Sequence, residues 1–179
     1  MFSHINPDNY QQQLTEKKAE ITEQFKQFQI PAIEVFTSEP INYRMRAEFR
    51  VWHDGDDLNY IMFNQETKEK YNVTEFPVAS LLINKTMKAL LDDIRDKPIL
   101  RQKLFQVDFL STLSGEMLVS LLYHKPLSDE WQSSATELST RLSAIAPTSI
   151  IGRARKQKMI IGQDFVTEKL KVGDDTYQY

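Results

Sequence analysis

Between Tyr43 and His53 the chain alternates strictly. Tyr43, Met45, Ala47, Phe49 and Val51 fall on one side of an extended backbone, and Arg44, Arg46, Glu48, Arg50 and Trp52 on the other. A two-residue period of this kind predicts a strand with one core face and one wet face. His53-Asp54-Gly55-Asp56-Asp57 supplies a turn signal, and Leu58 to Phe63 returns as a second strand, so the two predict a hairpin. Lys70 to Val73 adds a short third strand. Leu104 to Leu113 and Met117 to His124 flank Ser114-Gly115-Glu116 as a second hairpin, and Ser149 to Ala154 and Met159 to Ile161 predict two more strands around a basic turn.

Helical periods separate these pairs. Tyr10, Leu14, Ile21, Phe25 and Phe28 share a face between Pro7 and Phe28, with Asn6 and Pro7 as a natural start. Val78, Leu81, Leu82, Leu90, Leu91 and Ile94 carry a helix introduced by Phe76-Pro77, and Pro98 breaks the chain after it. Ser128 opens a third, carried by Trp131, Ala135, Leu138, Leu142 and Ile145 and ended by Pro147. Pro31 to Phe36 reads as a short extended piece, and the tail from Asp164 is weakly patterned. Hairpins parted by lone helices predict an α+β fold, a largely antiparallel sheet with helices packed on one face. The opposite face is then open to a ligand.

Composition narrows the chemistry. With 179 residues, 41% hydrophobic and 26% charged, the chain fits a single domain over 1–179. It lacks any apolar run near the roughly 20 residues of a membrane helix, and Met1 to Tyr10 lacks the order of a secretory signal, so a cytoplasmic protein without a membrane partner is expected. Zero cysteines exclude disulfides, thiolate metal sites and a cysteine nucleophile. Five scattered glycines exclude a P-loop and a dinucleotide fingerprint. A net charge of -3 argues against indiscriminate nucleic-acid binding.

Local charge runs the other way. Arg44, Arg46 and Arg50 share one strand face at about 6 to 7 Å intervals, near the spacing of successive phosphates, which guanidinium groups bind in a bidentate way. The alternative is a solvated strand face that Glu48 neutralises. Arg153, Arg155, Lys156 and Lys158 form a second basic cluster without an acid, or an ordinary charged hairpin tip. Asp54-Gly55-Asp56-Asp57 lacks the ligand spacing of a calcium loop and reads as a turn. His4, His53 and His124 are too scattered for a metal cluster. Taken alone, Phe105 reads as a core residue and His124 as a hydrogen-bonded edge histidine.

The segments YRMRAEFRVWHDGDDL from Tyr43, LFQVDFLSTLSGEMLVSLLYHKPLSDEW from Leu104 and IIGRA from Ile150 resemble the bacterial tRNA (uracil-5-)-methyltransferases. The likeness runs from near Tyr10 to the carboxyl end and covers only the amino-terminal half of such an enzyme. It implies methylation at C5 of the T-loop uridine of tRNA to ribothymidine, with S-adenosylmethionine as donor. An attacking cysteine, a carboxylate base and the Rossmann-like donor fold would belong to the carboxyl-terminal half. This chain alone is then expected to be inactive and to bind no donor and no metal. The resemblance also implies RNA contact by Arg50, Phe105 and His124, with Arg44 and Arg46 as neighbours; for Arg153, Arg155 and Lys156 it adds less. The partner implied is the tRNA T-arm rather than DNA, and a monomer is expected.

Three rivals stand beside this reading: a stand-alone RNA-binding module, a hydrolase built on His53, Asp54 and Asp56, and a protein-interaction domain. A two-residue turn at Ser114-Gly115 or Gly115-Glu116 is expected to put Phe105 and His124 on one sheet face, with Val107 and Phe109 beside Leu122 and Leu118. The two rings would then form a platform for unstacked bases near Arg50.

Overall fold

The computed structural model describes residues 6–64 and 66–179. A 3-10 turn at Pro7–Asn9 leads into α1 (Tyr10–Gln24). The strands β1 (Arg46–Asp54), β2 (Asp57–Phe63) and β3 (Lys70–Asn72) precede α2 (Leu81–Ile94) and the short α3 (Pro98–Arg101). Then come β4 (Leu104–Ser111), β5 (Met117–Tyr123), α4 (Asp129–Leu142), β6 (Thr148–Ala154) and β7 (Gln157–Ile161). The first seven strands form one sheet in the order β3-β2-β1-β4-β5-β6-β7, and β8 (Lys169–Val172) pairs with β9 (Asp175–Gln178) apart from it.

The α+β expectation holds, with one correction: the sheet is mixed. β5 and β6 run parallel while every other neighbouring pair is antiparallel. A parallel pair needs a crossover, and α4 provides it. Ser128 caps α4 by accepting from the Trp131 N–H at 3.2 Å, and the buried Trp131, Ala135, Leu138 and Leu142 press on the sheet. Trp131 lies over Gly152 of β6 so closely that a Cβ there would sit 2.2 Å from the indole. Only glycine fits beneath this helix.

The core is one cluster. Phe49, Tyr60, Phe109, Val119, Leu121 and Ile150 meet Ile83, Met87, Leu90 and Ile94 of α2 and the apolar stripe of α4. All the strand residues of that set lie on one face, so the helices cover one side. Burying large side chains of this kind stabilises by about 1.5 to 3 kcal/mol each.

Several boundaries differ from the expectation. α2 begins after Ser80, whose hydroxyl accepts from the Ile83 N–H at 3.1 Å, because Phe76–Ala79 is a turn. β1 begins at Arg46, and Tyr43 is exposed rather than in the core. Ile145 lies past the end of α4 and is also exposed. Pro31 to Phe36 joins no strand, and the weakly patterned tail contains the β8–β9 hairpin. α1 buries none of its residues, although its apolar face is regular; Ile21, Phe25 and Phe28 stay exposed. Past Phe28, Tyr10 ties it to later chain: its hydroxyl accepts from the Ser38 N–H at 2.9 Å.

Candidate nucleic-acid interface

The ladders fix which side chains share the helix-free face. Arg50 pairs with Gln106, Gln106 with Leu122, Leu122 with Arg153, and Arg153 with Lys158, which makes one row across five strands. The next row holds Glu48, Asp108, Ser120, Ile151 and Ile160. Arg46 stands one row further, beside Leu110. With neighbouring strands about 4.8 Å apart, Arg50 and Arg153 are separated by roughly 14 Å at the backbone. The two basic clusters of the sequence therefore share one face.

Beyond that row, at the end where β1 finishes and β4 begins, Phe105 and His124 stack with ring centroids 3.9 Å apart and planes 12° apart. The shared face is as expected, but its cause is different. Thr112 N–H donates to Glu116 and Gly115 N–H to Thr112, so the loop is Leu113-Ser114-Gly115, with Gly115 at φ 96. A three-residue loop pairs odd positions with odd: Val107 faces Leu121 and Phe109 faces Val119, not Leu122 and Leu118. On a regular ladder Phe105 would then point into the core. The register shifts between Leu104 and Gln106, and the bulged Phe105 turns out beside His124.

That bulge is held from both sides. The His124 N–H donates to the Lys103 carbonyl at 2.9 Å, and His53 Nε2 lies 2.8 Å from the Leu104 carbonyl. A carbonyl only accepts, so His53 Nε2 carries the hydrogen. The sequence marks His53 as a turn neighbour, and nothing in it announces this bond. Phe105 is half-buried and His124 exposed. With Leu122, Lys125, Arg153 and Arg155 they line a cleft of about 540 Å³.

Charge on this face is only partly compensated. Arg46 pairs with Glu48 on its own strand, and Lys158 pairs with Asp164 at 2.6 Å. Arg50, Arg153, Arg155 and Lys156 have no ion pair or side-chain hydrogen bond among the described residues, and all four are exposed. Arg155 and Lys156 form the two-residue turn between β6 and β7. Lys156 is at φ 59, where a side chain is strained. Arg44 stands off the strand, exposed, its backbone tied to Val78 and Ser80. Asp108 lies in the midst of these cations: burial pushes its carboxyl up and Glu48 adds to this, against the Gln106 amide and the charges of Arg46 and Arg153. Burial lowers the Lys125 amine, which donates to the Ile99 carbonyl at 2.8 Å.

The acidic turn does structural work. Asp54 pairs with Asp57 around Gly55-Asp56, and Arg101 donates to the carbonyls of Asp56 at 2.8 Å and Gly55 at 3.0 Å. Arg95 pairs with Asp57 at 3.1 Å. His53 is engaged with Leu104, so the three residues of the hydrolase reading do not converge. Asp108, Lys125 and Trp52 went unmarked as site residues. Trp52 shares the alternation that exposes Arg50, and that was the available signal.

Known proteins agree in kind. The family model described as tRNA (uracil-5-)-methyltransferase matches residues 9–179. A tRNA/tmRNA (uracil-C(5))-methyltransferase of Colwellia psychrerythraea is 61% identical over 179 residues, 100% of this chain and 49% of that protein. The protein of the same description from Vibrio atlanticus is 54% identical over 176 residues, 98% of this chain and 48% of its own length. The chain thus spans about half the length of these curated relatives. Among solved structures, the Pyrococcus abyssi tRNA (uracil-54, C5)-methyltransferase in complex with S-adenosyl-L-homocysteine superposes with a TM-score of 0.56 at 16% identity, over 95% of this chain and 42% of that one. At that identity the likeness is one of fold.

Proposed function

The chain belongs to the tRNA (uracil-5-)-methyltransferase family, and from that premise we propose that its helix-free sheet face holds the T-arm of tRNA while the other half of the enzyme methylates the T-loop uridine. The observation that carries this reading is the Phe105–His124 stack beside a row of unpaired guanidinium groups. Loops of RNA are bound by stacking of unstacked bases on aromatic rings and by contacts to phosphates. A T-loop uridine is folded into the tRNA and must be exposed before C5 can react. Arg50 and Arg153 would grip phosphates, with Arg44, Arg46, Arg155 and Lys156 extending the grip, and Phe105 with His124 would receive a base.

S-adenosylmethionine is the methyl donor in this reading, and it supplies an electrophilic methyl group. The residues present do not make a site for it. Gly55, Gly115 and Gly173 close hairpins, Gly162 follows β7 and Gly152 lies under Trp131; none opens a helix, so no glycine-rich turn faces a helix N-terminus. The chain also has no thiol to attack C6. No step of methyl transfer is therefore assigned to these residues, and the chain by itself is expected to be inactive.

The test is binding of a T-arm hairpin RNA at several salt concentrations. Affinity should fall steeply with salt, because phosphate contacts release counterions. Arg50→Ala with Arg153→Ala should flatten the salt slope by about two. Phe105→Ala should weaken binding about tenfold at every salt, within the range for one lost stack. An unchanged slope and affinity in both variants would place the RNA elsewhere.

A further inference from the structure

We propose that Trp52 is a second base-stacking platform, placed so that the RNA runs from Phe105 and His124 past Arg50 onto the indole. The proposal rests on the reading of this face as an RNA surface and adds a binding site to it. Trp52 is 41% exposed, so part of its indole is open to solvent. It pairs with Asn59 of β2 and lies two residues beyond Arg50 on the same face. Phe105 and His124 lie beyond the Arg50-Gln106-Leu122 row in that same direction, because β4 runs antiparallel to β1 and β5 parallel to it. The indole and the stacked pair therefore occupy one end of the sheet.

Two further features suit Trp52 to a base. The Lys70 ammonium stands 3.2 Å from the ring centroid, which fixes the indole and brings a positive charge to its side. Among the described residues no other aromatic ring packs against it, and its 41% exposure leaves indole surface for a planar partner. Arg50, unpaired, is one same-face step of about 6.6 Å from Trp52. Its guanidinium can bind the phosphate linking a nucleotide stacked on Phe105 and His124 to the next one, stacked on Trp52. Together these groups make the alternation of ring and cation that single-stranded nucleic acid is held by.

Tryptophan emission reads the proposal directly. The chain has two tryptophans, and Trp131 is 0% exposed, so quenching by a ligand that touches the surface reports Trp52. The chain is titrated at low salt with a T-arm hairpin RNA, a fully paired duplex of equal length, and inorganic polyphosphate. The hairpin should quench saturably, while duplex and polyphosphate, which offer charge without free bases, should not. Trp52→Leu should abolish the quench and weaken hairpin binding about tenfold, and Trp52→Tyr should keep binding within about threefold, since a ring still offers a face. Unchanged circular dichroism would show that both variants fold.

If Phe105→Ala weakens binding while Trp52→Leu binds within about twofold of the parent and the hairpin does not quench, the second platform is overturned and the first stands. If polyphosphate quenches as strongly as RNA, the response is one of charge, and stacking on Trp52 is overturned. If the hairpin does not bind at low salt, the reading of the whole face falls and this proposal with it.

Discussion

At the scale of the residue, Asp108 places a carboxyl among the cations of the face proposed to hold RNA. A carboxyl whose folded pKa is raised binds its proton more tightly in the folded state, so it favours folding below the ordinary carboxylate range. That contribution is lost as pH rises through the raised value. Burial is the first cause here and Glu48 adds to it. Near neutral pH the charged Asp108 therefore weakens both the fold and the attraction for phosphate. Asp108→Asn keeps the oxygen that accepts from Gln106 at 2.8 Å and removes the charge. It should raise Tm slightly at pH 7, by at most about 2 °C, with the gain vanishing as the pH is lowered through the carboxylate range. T-arm RNA binding at low salt should tighten about two- to fivefold, the effect of one partly screened charge. Melting curves at two pH values and a binding titration check this; weaker binding would mean that the carboxylate itself contacts the RNA. Lys156 shows a related tension. A lysine at φ 59 costs about 1 kcal/mol that glycine would not, yet glycine would remove a cation from the turn.

Elements differ in what supports them. α2 and α4 are joined to each other by Asp93, which bonds Arg141 and Lys97, and both press on the sheet. α1 has neither kind of support. At 15 residues it is near the length at which an isolated helix is marginal in water, and no residue of it is buried. Its backbone amides should exchange with solvent orders of magnitude faster than those of β4 and β5. In a protein extended by the half that the relatives carry, a surface covering Ile21, Phe25 and Phe28 should slow them. Mass-spectrometric hydrogen exchange on both lengths decides it, and equal rates at α1 would mean that the helix face stays uncovered. Legibility followed the same division. β1 and β2 were readable because one face is buried and the other wet, and α4 because Ser128 and a regular stripe announce it. β8 and β9 were not, since neither strand holds a fully buried residue to set a period. Parallel pairing of β5 and β6 was hidden because it depends on where α4 returns the chain. The stack of Phe105 on His124 was foreseen through a wrong turn length, and the bulge that produces it has no mark in the residues around Leu104.

Taken whole, the molecule is acidic by -3, yet Arg50, Arg153, Arg155 and Lys156, none in an ion pair among the described residues, stand together on the face without helices. On the proposed reading, the net negative charge of the rest of the molecule disfavours RNA elsewhere and directs it to that face. The core lies on the opposite side of the same strands, so one sheet can hold the fold with one set of residues and the proposed RNA surface with another. The extra residue at Phe105 shows how separable the two are. Removing Phe105 alone would close the ladder: Leu104 already pairs with Tyr123 and Gln106 with Leu122, and Leu104, Val51 and Tyr123 would meet as three apolar neighbours. The shortened chain should melt within about 3 °C of the parent while losing the ring proposed to receive a base, at about tenfold weaker RNA binding. A melt lower by much more would show that the bulge is part of the scaffold. On the proposed reading, one codon separates an RNA-gripping sheet from a bare one, and a descendant lineage that dropped it would inherit the fold without that task.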